Sequence, residues 1–216
     1  MTNTLDAAPV RTILDRLFAE AARQEAEPWQ WPAGFSPDRA TPQERADALE
    51  SAYLPVSAEG CVLLYTLVRA SRPDTVVEFG TSFGISTIHL AAAVTDNGHG
   101  HVLTTEMSAA KVAVAQANLT AAGVADAVTI LPGDALQTLA EAPRTVDLLL
   151  LDGWKDLCLP VLRLLEDRLP PGALVIADDT SKASMGGYLD YVRDPANGYV
   201  NVAFPVEDGM EISCRT

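Results

Sequence analysis

The sequence VVEFGTSFG, residues 76–84, decides the fold, because it joins a short apolar run to a glycine-containing turn and then to a helix. The run predicts a buried strand at 75–79, covered by helices on both faces. In open α/β sheets, ligands bind beyond the carboxyl ends of the strands. We therefore expect the turn after this first strand to lie at a ligand site.

Short β-branched runs alternate with helical runs on either side of this stretch. Such alternation predicts a doubly wound, mostly parallel α/β sheet with right-handed crossovers. The predicted strands are 75–79, 101–106, 128–131, 146–151, 173–177, 199–204 and 210–214, and the predicted helices are 59–70, 86–94, 108–122, 135–140, 157–168 and 186–192. Asp208-Gly209 is a hairpin signal, so the seven-stranded Rossmann-like sheet should end in an antiparallel pair.

The first 53 residues do not follow this alternation. Helical spacing of apolar residues predicts a helix at 10–26, and a Pro- and Trp-containing stretch up to Pro42 predicts no regular structure over most of its length. We expect residues 1–53 to form an N-terminal helical extension or lid and residues 54–216 to form the cofactor-binding domain. Trp29 and Trp31 indicate that the extension packs on the core, covers the site or contacts a second subunit, as in a homodimer.

Composition restricts the classes of partner. Apolar residues make up 48% of the chain, and 29 acidic against 15 basic residues give a net charge of −14. This charge disfavours nucleic acid and anionic membrane surfaces as partners. Neither a signal peptide nor a membrane-spanning run is recognisable, which predicts a cytoplasmic protein. The three dispersed cysteines indicate neither a disulfide framework nor a thiolate metal site.

The glycine turn differs from the dinucleotide-binding pattern G-x-G-x-x-G. Ser82 stands where the central glycine would admit a pyrophosphate, which disfavours a dehydrogenase. Gly80 and Gly84 are expected to let a ligand approach the backbone. Glu78 would repel phosphates but suits a cation, so S-adenosylmethionine, a sulfonium with an amino group, fits this turn.

Two later strand ends carry acids suited to an adenosyl group. Glu106 closes the second predicted strand and can accept hydrogen bonds from both ribose hydroxyls. Asp134 follows the third and can accept one from the adenine amino group. Either acid alone is more often a turn or cap residue. Their succession at neighbouring strand ends favours an adenosyl cofactor.

The fourth and fifth predicted strands also end in acids, Asp152 and the pair Asp178-Asp179. Three close carboxylates resist ionising together, and a divalent cation removes that difficulty. Oxygen ligands without His or Cys indicate Mg²⁺ or another hard divalent cation. The alternative is that Asp178 or Asp179 caps the next segment.

Two motifs carry a family resemblance. DGWKDL at 152–157 and ADD at 177–179 resemble the Asp-His-Trp-Lys-Asp and Ala-Asp-Asn motifs of the catechol O-methyltransferase family and its bacterial relatives. Shorter stretches at 55–57, 78–84, 105–106 and 208–211 are also similar, so the resemblance covers about residues 54–214.

The resemblance implies a role for each matching position. Lys155 would be the general base, Asp152, Asp178 and Asp179 would hold Mg²⁺, and Trp154 would shape the adenosine and substrate pocket. Glu106 would bind the ribose, and Gly80 and Ser86 the methionyl end. The cofactor-binding set expected overall is Val56, Glu78, Gly80, Ser82, Gly84, Ser86, Glu106, Met107, Asp134, Ala135, Asp152 and Trp154.

Three departures from the family motifs bear on the substrate and the metal. Gly153 replaces the family His, Asp179 replaces the family Asn, and no carboxylate near Asn201 matches the one that contacts the second catechol hydroxyl. The leading hypothesis is Mg²⁺-dependent methyl transfer from S-adenosylmethionine to one hydroxyl of a small aromatic diol. The alternatives are metal-independent transfer to a nitrogen or oxygen of another small molecule, and a non-catalytic adenosyl-binding module.

Overall fold

A seven-stranded sheet in the order β3-β2-β1-β4-β5-β7-β6 forms the centre of the molecule. The structure is a computed structural model that describes residues 3–27 and 31–216. The strands are β1 Thr75–Phe79, β2 His101–Glu106, β3 Val128–Pro132, β4 Leu148–Leu151, β5 Leu174–Ala177, β6 Tyr199–Phe204 and β7 Met210–Arg215. The helices are α1 Ala8–Glu25, α2 Pro42–Ala48, α3 Ala58–Ser71, α4 Ile85–Asn97, α5 Ala109–Ala122, α6 Ala135–Thr138, α7 Cys158–Leu165 and α8 Gly186–Arg193.

The order of the strands reverses beside β1. From β1 the chain runs outward to β2 and β3, then returns to place β4 on the other side of β1, with Val77 opposite Leu149 in parallel register. All four residues of β4 are buried, as expected for a strand covered by helices on both faces. The topological switch point therefore lies between the carboxyl ends of β1 and β4, where α/β sheets bind ligands.

The predicted fold class is confirmed, including the antiparallel end of the sheet. Strand β7 pairs antiparallel with both β5 and β6. The predicted strand at 146–151 is shorter in the structure, because Val146 donates its backbone N–H to Arg168 outside the sheet. The Asp147 carboxylate accepts the backbone N–H groups of Asp74 and Thr75, which joins the start of β4 to the start of β1.

Helix α2 was not predicted, because Pro42 was read as a breaker. Pro42 instead occupies the first turn of the helix, where its missing N–H is not needed. Thr41 and Glu44 form a capping box, in which each side chain accepts the other residue's backbone N–H. The spacing Thr-Pro-Gln-Glu at 41–44 was the sequence signal for this helix.

Helix α1 packs into the hydrophobic core of the sheet. Leu14 and Leu17 are buried in one cluster with Leu64 and Ile88 of helices α3 and α4. None of the helices in the described parts of the chain combines the length and the apolar character needed for a membrane span. The N-terminal helix therefore contributes directly to the stability of the α/β core.

We expect Leu17→Ala to lower the free energy of unfolding by about 2–5 kcal/mol, the usual cost of a cavity at a buried leucine. Leu17 is 0% exposed, whereas Leu54 is 53% exposed, so Leu54→Ala is the matched control and should cost far less. Urea unfolding followed by circular dichroism measures both. Equal costs for the two variants would mean that α1 is not part of the core.

Candidate active site

A cavity of about 650 Å³ opens at the carboxyl ends of the strands, at the switch point. Its walls come from the sheet edge and from the N-terminal segment. The predicted site residues that line it are Gly80, Ser82, Glu106, Met107, Ala135, Asp152, Trp154, Lys155 and Asp179. Val56 and Ser86 line a much smaller adjoining pocket. Glu78, Gly84, Asp134 and Asp178 line neither.

Gly80 lines the cavity and also lies against the neighbouring strand end. Its φ is +107°, and a Cβ at this position would lie 2.8 Å from the backbone of Asp152. The glycine is therefore needed for the close approach of the neighbouring strand end, and its contact with a cofactor stays a prediction. The two strand ends are hydrogen-bonded here, since Asp152 donates its N–H to the carbonyl of Phe79 at 2.9 Å.

Glu78 faces the first turn of α4. Its carboxylate is fully buried and accepts hydrogen bonds from the hydroxyls of Ser86 at 2.6 Å and Thr87 at 2.5 Å. Burial raises the pKa of Glu78 to about 7, although the hydroxyl donors oppose the shift. Glu78 and Ser86, both expected to contact the cofactor, thus have their side chains bonded to each other.

Glu106 connects the glycine turn to the start of α5. One carboxylate oxygen accepts the N–H of Ser82 and the other that of Ser108, both at 2.8 Å. Each oxygen keeps a second lone pair for a ligand. Lys111, which sequence analysis missed, is buried at the same wall, and its Nζ lies 3.3 Å from Ser82 Oγ. Nothing in its local sequence distinguished Lys111 from an exposed helix lysine.

Asp134 caps a helix. Its Oδ1 accepts the backbone N–H of Leu136 at 2.9 Å in the first turn of α6. This is the common use of an aspartate after a strand. Its neighbours Gly133 and Ala135 line the cavity.

Lys155 joins two of the three predicted metal ligands. Its Nζ lies 2.9 Å from Asp152 Oδ1 and 3.1 Å from Asp179 Oδ2. Burial lowers the pKa of Lys155, but the two carboxylates outweigh burial, so its pKa is raised and the ammonium form is favoured. Burial raises the pKa of Asp178 to about 7, and nearby Asp152 adds to this rise.

Two of the three predicted metal ligands, Asp152 and Asp179, form ion pairs with Lys155. Within residues 3–27 and 31–216, no three His, Cys, Asp or Glu side chains group closely enough to hold one ion. The chemistry of Asp152, Asp178 and Asp179 nevertheless fits a hard divalent cation, because all are oxygen donors and one ammonium leaves their charge incompletely balanced.

Gly153, the position of the family His, lies against an aromatic ring. A Cβ at Gly153 would lie 2.6 Å from Phe79 Cε1. Phe79 lines the cavity at the end of β1. The departure at Gly153 therefore accompanies a bulky residue on the neighbouring strand.

The N-terminal segment forms much of the outer wall. Trp31, Ala46, Leu49 and Tyr53 line the cavity, and the Trp31 ring stacks on Phe35 at 5.0 Å between centroids. Trp29, predicted together with Trp31, lies outside the described residues. The N-terminal extension thus lines the cavity, and its roles as a lid or as a dimer contact stay predictions.

The known proteins that this chain resembles are methyltransferases. Residues 77–180 match the family model described as a methyltransferase domain. A catechol O-methyltransferase of Mycobacterium tuberculosis is 33% identical over 157 residues, covering 72% of this chain and 70% of that protein. Catechol O-methyltransferase B of Danio rerio is 30% identical over 169 residues, covering 72% of this chain and 62% of that protein, less than two thirds of its length.

A solved structure shows the same fold. The O-methyltransferase from Bacillus cereus in complex with SAH superposes with a TM-score of 0.69 at 18% identity, covering 95% of this chain and 91% of that one.

If S-adenosylmethionine binds beside Glu106, we expect Glu106→Gln to weaken its binding by about 1–3 kcal/mol. The amide group can accept only one of the two backbone N–H bonds and faces the other with a donor. Glu141→Gln, at an exposed position away from the cavity lining, is the matched control. Isothermal titration calorimetry compares the two, and equal affinities would remove Glu106 from the cofactor site.

Proposed function

The chain belongs to the catechol O-methyltransferase family of methyltransferases, and on this premise we propose that it transfers a methyl group from S-adenosylmethionine to one hydroxyl of a small aromatic diol. One observation carries the proposal: a single cavity contains both Glu106, suited to a ribose, and Lys155, suited to a reacting hydroxyl. A non-catalytic binding module would need only the first.

The charge of the cavity suits a sulfonium cofactor. The acidic side chains that line it are Glu25, Glu27, Glu106, Asp152, Asp179, Glu207 and Asp208, and the basic ones are Lys111, Lys155 and Lys182. This excess of acids favours a cation over a phosphate-bearing ligand. After methyl transfer the sulfur is a neutral thioether, so the same charge helps to release the product.

The transfer forms a carbon–oxygen bond while the carbon–sulfur bond breaks, and the electron pair of that bond returns to sulfur. A phenol titrates near pH 10, so the attacking oxygen must lose its proton to a nearby group. Lys155 is the group we propose for this task. Paired with Asp152 and Asp179 it holds its proton; without these partners, burial favours its neutral form.

Mg²⁺ belongs to the proposal as a requirement for turnover. Asp152, Asp178 and Asp179 would hold the ion, which would supply positive charge beside the acceptor hydroxyl. Lys155 would then no longer serve as the partner of Asp152 and Asp179. One observation favours metal-independent transfer as the second candidate: Lys155 already balances two of the three carboxylates.

We expect Lys155→Ala to lower kcat on catechol by about 10²–10⁴-fold while S-adenosylmethionine affinity is kept. Lys155→Arg is the matched variant, because it keeps the positive charge but cannot act as a base. If proton removal is the role of Lys155, the Arg variant should be as slow as the Ala variant. An active Arg variant would make Lys155 a counter-ion only, and an active Ala variant would contradict the catechol-type mechanism.

We expect EDTA to abolish methyl transfer to catechol and excess Mg²⁺ to restore it. The measurement is formation of the methylated product with the purified enzyme, and isothermal titration of S-adenosylmethionine in EDTA is the control for the cofactor site. Full turnover in EDTA would place the metal-independent candidate first.

A further inference from the structure

The side chain of Arg45 connects helix α2 to the loop that carries Lys155. The guanidinium of Arg45 contacts the Asp156 carboxylate through two nitrogens, at 3.1 and 2.9 Å. It also lies over the Trp154 ring, 4.5 Å from the ring centroid. Planar, two-point pairing combined with stacking on an aromatic face is specific to arginine.

The two partners of Arg45 are the residues on either side of Lys155. Trp154 and Lys155 line the cavity, and Lys155–Leu157 form a single 3₁₀ turn. A side chain that holds both neighbours restricts the backbone from which Lys155 extends. Arg45 itself does not line the cavity, so it acts through these residues.

The same helix supplies part of the cavity wall. Ala46, next to Arg45, and Leu49, just after α2, are both buried and line the cavity. The N-terminal end of α2 is closed by the Thr41–Glu44 capping box. The contacts of Arg45 therefore couple the position of this wall to the position of the Lys155 turn.

Arg45 is largely shielded from solvent although its hydrogen bonding is incomplete. Its side chain is 16% exposed, and Nε is buried without an acceptor among the described residues. An arginine that served only solubility would extend into solvent. A buried N–H without an acceptor lowers the stability of the folded state. The contacts of Arg45 with Trp154 and Asp156 must offset this loss.

We propose that Arg45 is a positioning residue: through Asp156 and Trp154 it holds α2 as the wall of the acceptor subsite and keeps the Lys155 turn in place. The inference rests on the proposed function, because that function places the reacting hydroxyl beside Lys155, and the α2 wall is assigned to the acceptor on this ground. On the cofactor side of the cavity, Glu106 is hydrogen-bonded to Ser82 and Ser108.

The test compares Arg45→Ala, Arg45→Lys and Asp156→Asn with Arg11→Ala, the control at an exposed arginine of α1. Hydrogen exchange of the ligand-free protein reports on residues 42–49. Calorimetry gives the affinity for S-adenosylmethionine, and for catechol in the presence of S-adenosylhomocysteine, without requiring turnover. Steady-state kinetics then gives kcat and KM for both substrates.

In Arg45→Ala we expect faster exchange in α2, catechol affinity weakened by about 3- to 30-fold and a smaller loss of S-adenosylmethionine affinity, because Trp154 also belongs to the expected cofactor site. Arg45→Lys should fold normally, and its α2 exchange rates and catechol affinity should lie between those of Arg45→Ala and the native protein, because lysine cannot make the two-point contact. In an Asp156→Asn background, Arg45→Ala should have a smaller effect, since the two residues act as a pair. Arg11→Ala should change none of these quantities.

Two results would overturn the proposal. Unchanged exchange of α2 in Arg45→Ala and Arg45→Lys would show that Arg45 does not hold the helix. Faster exchange with unchanged catechol affinity and kinetics would make the contact purely structural. Failure of the native protein to methylate any catechol would instead contradict the proposed function, and the exchange results would still decide whether Arg45 holds α2.

Discussion

The close backbone approach between the ends of β1 and β4 is the constraint on which the site depends. Gly80 is required there because any Cβ would lie 2.8 Å from the Asp152 backbone. This contact places Asp152, and the Trp154-Lys155 turn that follows it, next to the glycine turn at residues 80–84. Ser82 of that turn donates a hydrogen bond to Glu106. Cofactor and reaction residues that lie far apart in sequence therefore share one cavity because two strand ends meet without a side chain between them.

Electrostatic balance then determines the state of the reaction side of the cavity. Asp152 and Asp178 are partly buried carboxylates whose pKa values are raised by burial, and Lys155 is the cation that pairs with Asp152 and Asp179. The same acids that make the cavity suitable for a cation keep Lys155 protonated. Proton removal requires the neutral form of Lys155, whereas the ion pairs with the carboxylates stabilise its protonated form. Such opposing effects are common where charged groups converge in an active site.

Local patterns were sufficient for the sheet, and long-range contacts explain what they missed. The apolar run at 75–79 and the acid at its neighbour's end, Glu106, follow from period and spacing alone. That Glu78 faces α4 instead of the cavity depends on which helix layer covers each face, which alternation along one strand does not specify. Arg45 pairs with Asp156 across a sequence separation of 111 residues, and no local pattern could predict that contact.

The contact between Phe79 and Gly153 also bears on how this chain could have diverged from its relatives. A histidine at 153, the residue that the family motif carries, would clash with the Phe79 ring, while a smaller residue at 79 beside Gly153 would leave a void. A larger residue at 153 therefore requires a smaller residue at 79 or a displaced Phe79 ring. The two positions should covary among homologues, and the order in which they changed would have been restricted by this epistasis.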